Sequence, residues 1–295
     1  LTDYIVSVVL GIVEGLTEFL PVSSTAHLRI AEALLHIPLA DPFWKMYTIV
    51  IQLGAILALL LLFTGRILEF IRTFPNGEKG ERTLFNHPIT LTFVAFVVTS
   101  ALSLPLIKLI GKNLESLHVM ALALLIGGII MWVVDALSVR RIPTTQHVEE
   151  MTFLQAVWIG FCQMFSAVFP GVSRSMSTIA AGQLAGMSRT TALEFSFLLS
   201  IPTMIAATGY SLLKVFHPGK HADPTEVLTP LVMTTHNWIV LAIGMIVSFG
   251  VALAVVEWFL QWVRRHGFVV FAVYRILLAV ILLVFGARIF KHMGL

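Results

Sequence analysis

Charge is what this sequence has least of. Asp, Glu, Lys and Arg make up 12% of its 295 residues, about half the share of a soluble domain. The net charge is only +3 and the basic residues are scattered, which excludes the clustered footprint of a nucleic-acid-binding protein. Cysteine is almost missing: Cys162 stands alone, so there is no internal disulfide and no thiolate metal site. P-loop, dinucleotide-fingerprint, His-Glu-x-x-His and EF-hand patterns are all absent. So is a cleavable signal, because the first apolar run has no basic n-region and carries Glu14 and Glu18. Leu1 is not an initiator methionine, and a short preceding stretch is expected.

What remains is mostly hydrocarbon. Hydrophobic residues reach 58% and the mean hydropathy is +0.93, as expected for an all-α polytopic membrane protein. Apolar runs long enough to cross a bilayer lie at roughly 44–63, 89–110, 117–137, 190–214, 237–261 and 268–290. Two further stretches, about 3–36 and 153–187, are broken at Pro21 and Pro170. Each is read as a re-entrant helix-break-helix hairpin, since irregular backbone at depth must be buried in protein or line a wet cavity. Placing 64–88 inside puts Arg140, Arg141, Arg189, Arg264 and Arg265 on the same side, a weak positive-inside bias. The hairpins then enter from opposite faces, the first from outside, and both termini lie outside. The expected organisation is a single integral-membrane domain over 1–295, with an inverted-topology internal repeat of about 1–137 and 153–290. Pro75-Asn76-Gly77 and His217-Pro218-Gly219 signal turns in the polar loops 64–88 and 215–236.

The two broken stretches carry the chemistry. The first reads Glu14-Gly-Leu-Thr-Glu18-Phe-Leu-Pro21-Val-Ser23-Ser24-Thr25-Ala26-His27. The second reads Gln163-Met-Phe-Ser-Ala167-Val-Phe-Pro170-Gly171-Val-Ser173-Arg174-Ser175-Met-Ser177-Thr178. Ionisable groups in such surroundings are costly and therefore functional candidates. Glu14 and Glu18 fall on one helix face, one turn apart. Two such carboxylates resist joint ionisation, a penalty that a divalent cation or an arginine relieves. The plainer alternative is a solvated helix edge. Ser23, Ser24 and Thr25 suit the opening of a helix, where free amides favour anions, and one of the serines is expected to be the N-cap. His27 beside Ser24 and the Glu pair suits a nucleophile or an acid–base group. Arg174 among Ser173, Ser175 and Thr178 reads as an oxyanion clamp, and Gly171 as a point of close backbone approach. The alternative is an arginine snorkelling to the inner surface. In the second copy Gln163 and Ala167 replace the glutamates, so acid–base or metal chemistry falls to one hairpin and oxyanion recognition to the other.

Gln52, Glu194 and Arg275 are weaker, mid-span candidates that either line the site or pair with one another. Gly11–Gly15, Gly127–Gly128 and Gly182–Gly186 are expected to be packing surfaces. Asp135, Glu257 and Arg288 are expected at the membrane interface.

On these motifs, supported by Glu194-Phe-Ser-Phe-Leu-Leu-Ser-Ile-Pro202, the chain resembles the undecaprenyl-diphosphate phosphatase family, the bacterial membrane enzymes linked to bacitracin resistance. The likeness covers essentially the whole chain. The family usually has glycine at Ala26, where alanine is harmless in a helix and strained at positive φ. The resemblance implies hydrolysis of the C55 polyprenyl diphosphate to its monophosphate, which recycles the lipid carrier for peptidoglycan. It also implies a site open to the outer face, a multi-pass place in the bacterial inner membrane, and Mg or Ca as cofactor. Its partners are the lipid substrate and the membrane, not nucleic acid, and a homodimer is compatible. The roles it suggests are Arg174 and Ser173 on the terminal phosphate, with Ser23, Thr25, Ser175 and Thr178 as further phosphate ligands. Glu14 and Glu18 hold the cation, or Glu18 is a base. Ser24 is the favoured nucleophile, with His27 and Glu18 managing protons, while attack by His27 or by a His27-activated water stays open. Both Arg174→Ala and His27→Ala are expected to lose most turnover. The rival reading is a transporter or lipid flippase using the same inverted-repeat site.

Overall fold

The computed structural model describes residues 2–38, 41–77, 82–110, 116–216 and 233–289. The turn expected at 217–219, most of the 215–236 loop and part of the 64–88 loop lie outside them. Among the described residues the chain forms twelve α-helices, one short 3-10 helix and no strand ladder. That is one of the two outcomes a bilayer allows, because only helices and closed β-barrels satisfy every backbone group in hydrocarbon.

Helices α1 (Asp3–Thr17) and α2 (Ser24–Leu34) flank the first break, and α8 (Phe153–Val168) and α9 (Arg174–Leu184) the second. Between them come α3 (Pro42–Val50), α4 (Gln52–Leu62), α5 (Thr64–Thr73), α6 (Pro88–Ile110) and α7 (Leu117–Ser138). After them come α10 (Arg189–Phe216), α11 (Thr235–His266) and α12 (Val269–Ile289). Among the described residues, six helical stretches are long and apolar enough to cross a membrane: Pro42–Leu62, Pro88–Ile107, Leu117–Ser138, Arg189–Tyr210, Thr235–His266 and Val269–Gly286. They coincide with the six expected spans. The first is two helices in line, α3 and α4, meeting at Ile51.

Local chemistry sets the helix starts. Asp41 caps α3 ahead of Pro42 at its first position. Thr152 and Gln155 form a reciprocal capping box on α8. Gly267, at φ +70°, turns the chain from α11 into α12.

Two expectations need correction. The 64–88 segment is not all loop: Thr64–Thr73 is helical, and its Phe70 is buried, because Ile67 and Phe70 recur at helical spacing on a core-facing side. Asp135 is not interfacial. It is fully buried and accepts from Arg189 Nε at 2.7 Å and Nη2 at 2.8 Å, from Gln183 at 3.2 Å and from the Phe268 amide at 3.0 Å. One carboxylate thus ties α7, α9, α10 and the start of α12 together. Glu257 is exposed, and the Arg288 side chain lies outside the described part.

Small residues let the broken units pack tightly. A methyl group on Gly15 would sit 2.6 Å from the Ser248 carbonyl oxygen, and Gly11 likewise lies against Gly244 of α11. Gly160 of α8 lies in the same way against the Ala95 backbone of α6. This is close helix approach bought by missing side chains.

Candidate active site

Both breaks end in the same local structure. Ser23 and Ser173 hold left-handed backbone at φ 74° and 73°. Each caps the following helix by accepting from the amide three residues on, Ala26 or Met176. Left-handed backbone is rare for a non-glycine residue. At Ser23 and Ser173 it lets the chain turn sharply and start a new helix. Ala26 falls inside α2 and is fully buried, so an alanine there is unstrained.

One cavity of about 230 Å³ takes its walls from both breaks, and Ser23, Ser24, Thr25, Ser173 and Arg174 line it together with Glu18 and Gln52. Two helix N-termini therefore present their unpaired first-turn amides to one space.

Glu18 sits at its centre, at the C-cap of α1 and 9% exposed. Its Oε2 accepts from Ser24 Oγ at 2.5 Å and its Oε1 from Arg174 Nη2 at 3.2 Å. Arg174 also donates to the Ser196 carbonyl at 3.2 Å, stands 5.9 Å from the Phe19 ring centre, and keeps its Nε free of any partner. Its side chain is only 12% exposed and is ion-paired within the protein, which removes the snorkelling alternative. One turn before Glu18, Glu14 is wholly buried, and neither of its oxygens has a hydrogen-bond partner. Glu18 and Arg174 are the charges that act on it. The solvated-edge alternative is thereby excluded.

Other expected residues are placed differently. His27 does not line the cavity: Nδ1 bonds the Ser23 carbonyl at 2.7 Å, Nε2 meets the Tyr274 hydroxyl at 2.6 Å, and the two rings stack. Since a carbonyl only accepts, Nδ1 carries the proton and Nε2 accepts from Tyr274. Ser175 and Thr178, expected as phosphate ligands, are buried with their hydroxyls engaged. Ser175 donates to the Leu20 carbonyl at 2.8 Å, while Thr178 donates to the Arg174 carbonyl at 3.0 Å and meets Ser196 Oγ. They brace the breaks because helical periodicity turns them inward. Glu194, expected as a lining residue, lies outside the cavity. It pairs with Arg66 at 2.8 Å in a cluster with Glu69 and Glu149. Gln52, Glu194 and Arg275 do not pair with one another.

Arg275 has a different task. Fully buried on α12, it donates to the Pro21 carbonyl of the first break at 3.2 Å and to the Gly171 and Val172 carbonyls of the second, each at 3.0 Å. Gly171 is held at φ +98°, where a methyl would meet the Met120 carbonyl oxygen at 2.6 Å. Gly127 makes room for the Arg275 guanidinium.

Five lining residues escaped the sequence reading of the site: Thr99, Ser166, Thr203, Met204 and Ala207. Gln163 donates to Thr99 at 3.1 Å and to Thr203 at 3.3 Å. The available signal was the Pro202-Thr203 pair within α10, where proline removes a helical bond and a hydroxyl stands beside it. Tyr274 was missed as well, although it adjoins Arg275.

Among the described residues no group of three or more His, Cys, Asp or Glu side chains is placed to hold a metal. The Glu14–Glu18 pair offers only carboxylate oxygens, and those of Glu14 are buried and unpartnered.

Residues 7–281 match the family described as bacitracin resistance protein BacA. A relative named undecaprenyl-diphosphatase from Koribacter versatilis is 57% identical over 286 residues, 97% of this chain and 99% of its own. Relatives of the same name from Rhizobium etli and Thermus thermophilus are 41% and 40% identical. Each alignment covers at least 95% of both chains.

Proposed function

This chain belongs to the bacitracin resistance protein BacA family, and from that premise we propose how its site works. The protein is a phosphatase that dephosphorylates undecaprenyl diphosphate, as its relatives' name states. The products are undecaprenyl phosphate and inorganic phosphate, which returns the lipid carrier to cell-wall synthesis. The observation that carries the site assignment is the short hydrogen bond from Ser24 to Glu18, with Arg174 on the other oxygen of the same carboxylate.

Ser24 Oγ attacks the terminal phosphorus as Glu18 Oε2 takes its proton. The bond from that phosphorus to the bridging oxygen breaks, and undecaprenyl phosphate leaves. The proton on Glu18 passes to the departing undecaprenyl phosphate; water then attacks the phosphoserine and gives a proton to Glu18, the Ser24 Oγ–phosphorus bond breaks, and Glu18 returns that proton to Ser24 Oγ as phosphate departs. Phosphoryl transfer rests mainly on positioning and charge. Here the charge comes from Arg174 and the positioning from the first amides of α2 and α9. His27 acts from behind the helix, holding the Ser23 turn and, with it, the direction of Ser24.

The donor set fits a hard divalent cation: Glu14 and Glu18 offer oxygens of the kind Mg and Ca prefer, and a cation would relieve the buried, unpartnered Glu14. Bound there, it would add positive charge beside the transferred phosphate.

The membrane arrangement follows the same logic. The two helix–break–helix units are re-entrant and belong to inverted repeats, about 1–137 and 153–290. Support comes from exchange symmetry in the packing: α1 lies on α11 as α8 lies on α6, and α7 pairs with α12. The repeats form one domain in the bacterial plasma membrane, with the cavity facing outward.

The test is phosphate release from C55 diphosphate by purified protein. Arg174→Ala is expected to lose about 10²–10³ in turnover, and EDTA to abolish release until Mg or Ca is returned. Full activity in chelator would remove the cation from this account. Full activity in Arg174→Ala would remove the clamp.

A further inference from the structure

A larger cavity lies elsewhere. It measures about 670 Å³ against about 230 Å³ for the catalytic one, and the two share no lining residue. Among its walls are Arg141, Arg189, Arg264, Gln183, Ser188 and Thr190. Helix α9 runs from one cavity to the other: Arg174 opens it and Gln183 lies near its end. From Arg174 to Gln183, at about 1.5 Å per residue, the two are separated by roughly 14 Å.

The chemistry of this second cavity is one-sided. No carboxylate lines it. The neighbouring acid, Asp135, is fully buried and engaged by Arg189, Gln183 and the Phe268 amide. Among the described residues, the guanidinium groups of Arg141 and Arg264 make no hydrogen bond or ion pair. Arg140 and Arg265 follow beside them in sequence. Helix α10 opens at the cavity wall with Arg189, and Ser188 caps it by accepting from the Thr191 amide at 3.1 Å. That leaves first-turn amides as further donors to an anion. The surroundings are greasy: Ile142 is 89% exposed and Val139 67%. Unpaired arginines, hydroxyls and exposed apolar side chains together are what a lipid phosphate requires, with the head in the basic pocket and the chains along the apolar rim.

We propose that this cavity binds the phosphate headgroup of a membrane lipid, at a place separate from the catalytic centre. The topology read from the basic turns puts it at the inner leaflet, where anionic lipids concentrate. Two lipids carry the required group: an anionic glycerophospholipid of the bilayer, and the prenyl monophosphate that the reaction releases.

The experiment is calorimetric titration of delipidated protein in uncharged detergent. The probes are dioctanoyl phosphatidylglycerol, dioctanoyl phosphatidylcholine, a short-chain prenyl monophosphate and inorganic phosphate. Wild type is compared with Arg141→Gln/Arg264→Gln, and phosphate release is read in parallel. Affinity for at least one lipid phosphate is expected to fall about tenfold or more in the double variant, with turnover unchanged. Loss confined to phosphatidylglycerol identifies the bilayer as source, and loss confined to the prenyl phosphate identifies the product. Prenyl phosphate held at the catalytic cavity persists in both proteins and is subtracted by the comparison. Equal affinities in variant and wild type, no preference for phosphatidylglycerol or prenyl phosphate over phosphatidylcholine, or inorganic phosphate binding as tightly as the lipids would overturn the proposal.

Discussion

Glu18 holds Ser24 on one oxygen and Arg174 on the other, so the carboxylate proposed as base also aligns the proposed nucleophile and the proposed phosphate clamp. His27 is bonded away from them, to Ser23 and Tyr274. The consequence is a graded series. Ser24→Ala removes the attacking group and is expected to cost about 10³ or more in turnover, whereas His27→Gln is expected to cost about tenfold. Steady-state phosphate release checks both, and equal losses would put His27 back at the reacting phosphate. Glu18, Ser24 and Arg174 were legible in the sequence because ionisable groups stand out in an apolar chain. The inward turn of Ser175 and Thr178, and the pairing of His27 with Tyr274, were not. They depend on which side of α9 or α12 meets which neighbour, and spacing alone does not supply that.

At the scale of elements, the two breaks are the costly features. Gly171 is left-handed and lies under the Met120 carbonyl, so Gly171→Ala meets both strain and collision. It is expected to destabilise the fold by about 1–3 kcal/mol. Ala26→Gly, inside α2, is expected to cost about 1 kcal/mol and leave turnover intact. Thermal unfolding in detergent separates the two, and a neutral Gly171→Ala would mean that the second break relaxes freely. The six spans were readable from apolar length, and their ends agree within a few residues. Helix α5 was not, since its polar residues dominate its composition and only its buried side packs on the core. Asp135 escaped for a related reason. A lone acid near a span end looks interfacial until Arg189, more than fifty residues later, closes on it.

At the scale of the whole molecule, Arg275 joins carbonyls of both breaks, with no carboxylate partner among the described residues. Arg275→Lys keeps the charge but cannot span those acceptors. Buried carbonyls left unpaired cost about 1–3 kcal/mol, so a lower unfolding midpoint is expected together with weaker turnover. An unchanged midpoint would mean that water replaces the fork. The duplication of broken segments was plain in the sequence, but their union around one arginine was not, because nothing in a linear string says which span threads between two turns. That union also bears on assembly. Ser24 and Glu18, the proposed nucleophile and base, come from one half of the chain, and Arg174, the proposed phosphate clamp, from the other. Ser175 bonded to the Leu20 carbonyl is part of the seam between them. Competence is therefore acquired by complementation rather than by folding of either half alone. Co-expressing segments 1–142 and 143–295 as separate polypeptides is expected to restore phosphate release that neither yields by itself. Activity in one fragment alone would show that the seam is dispensable.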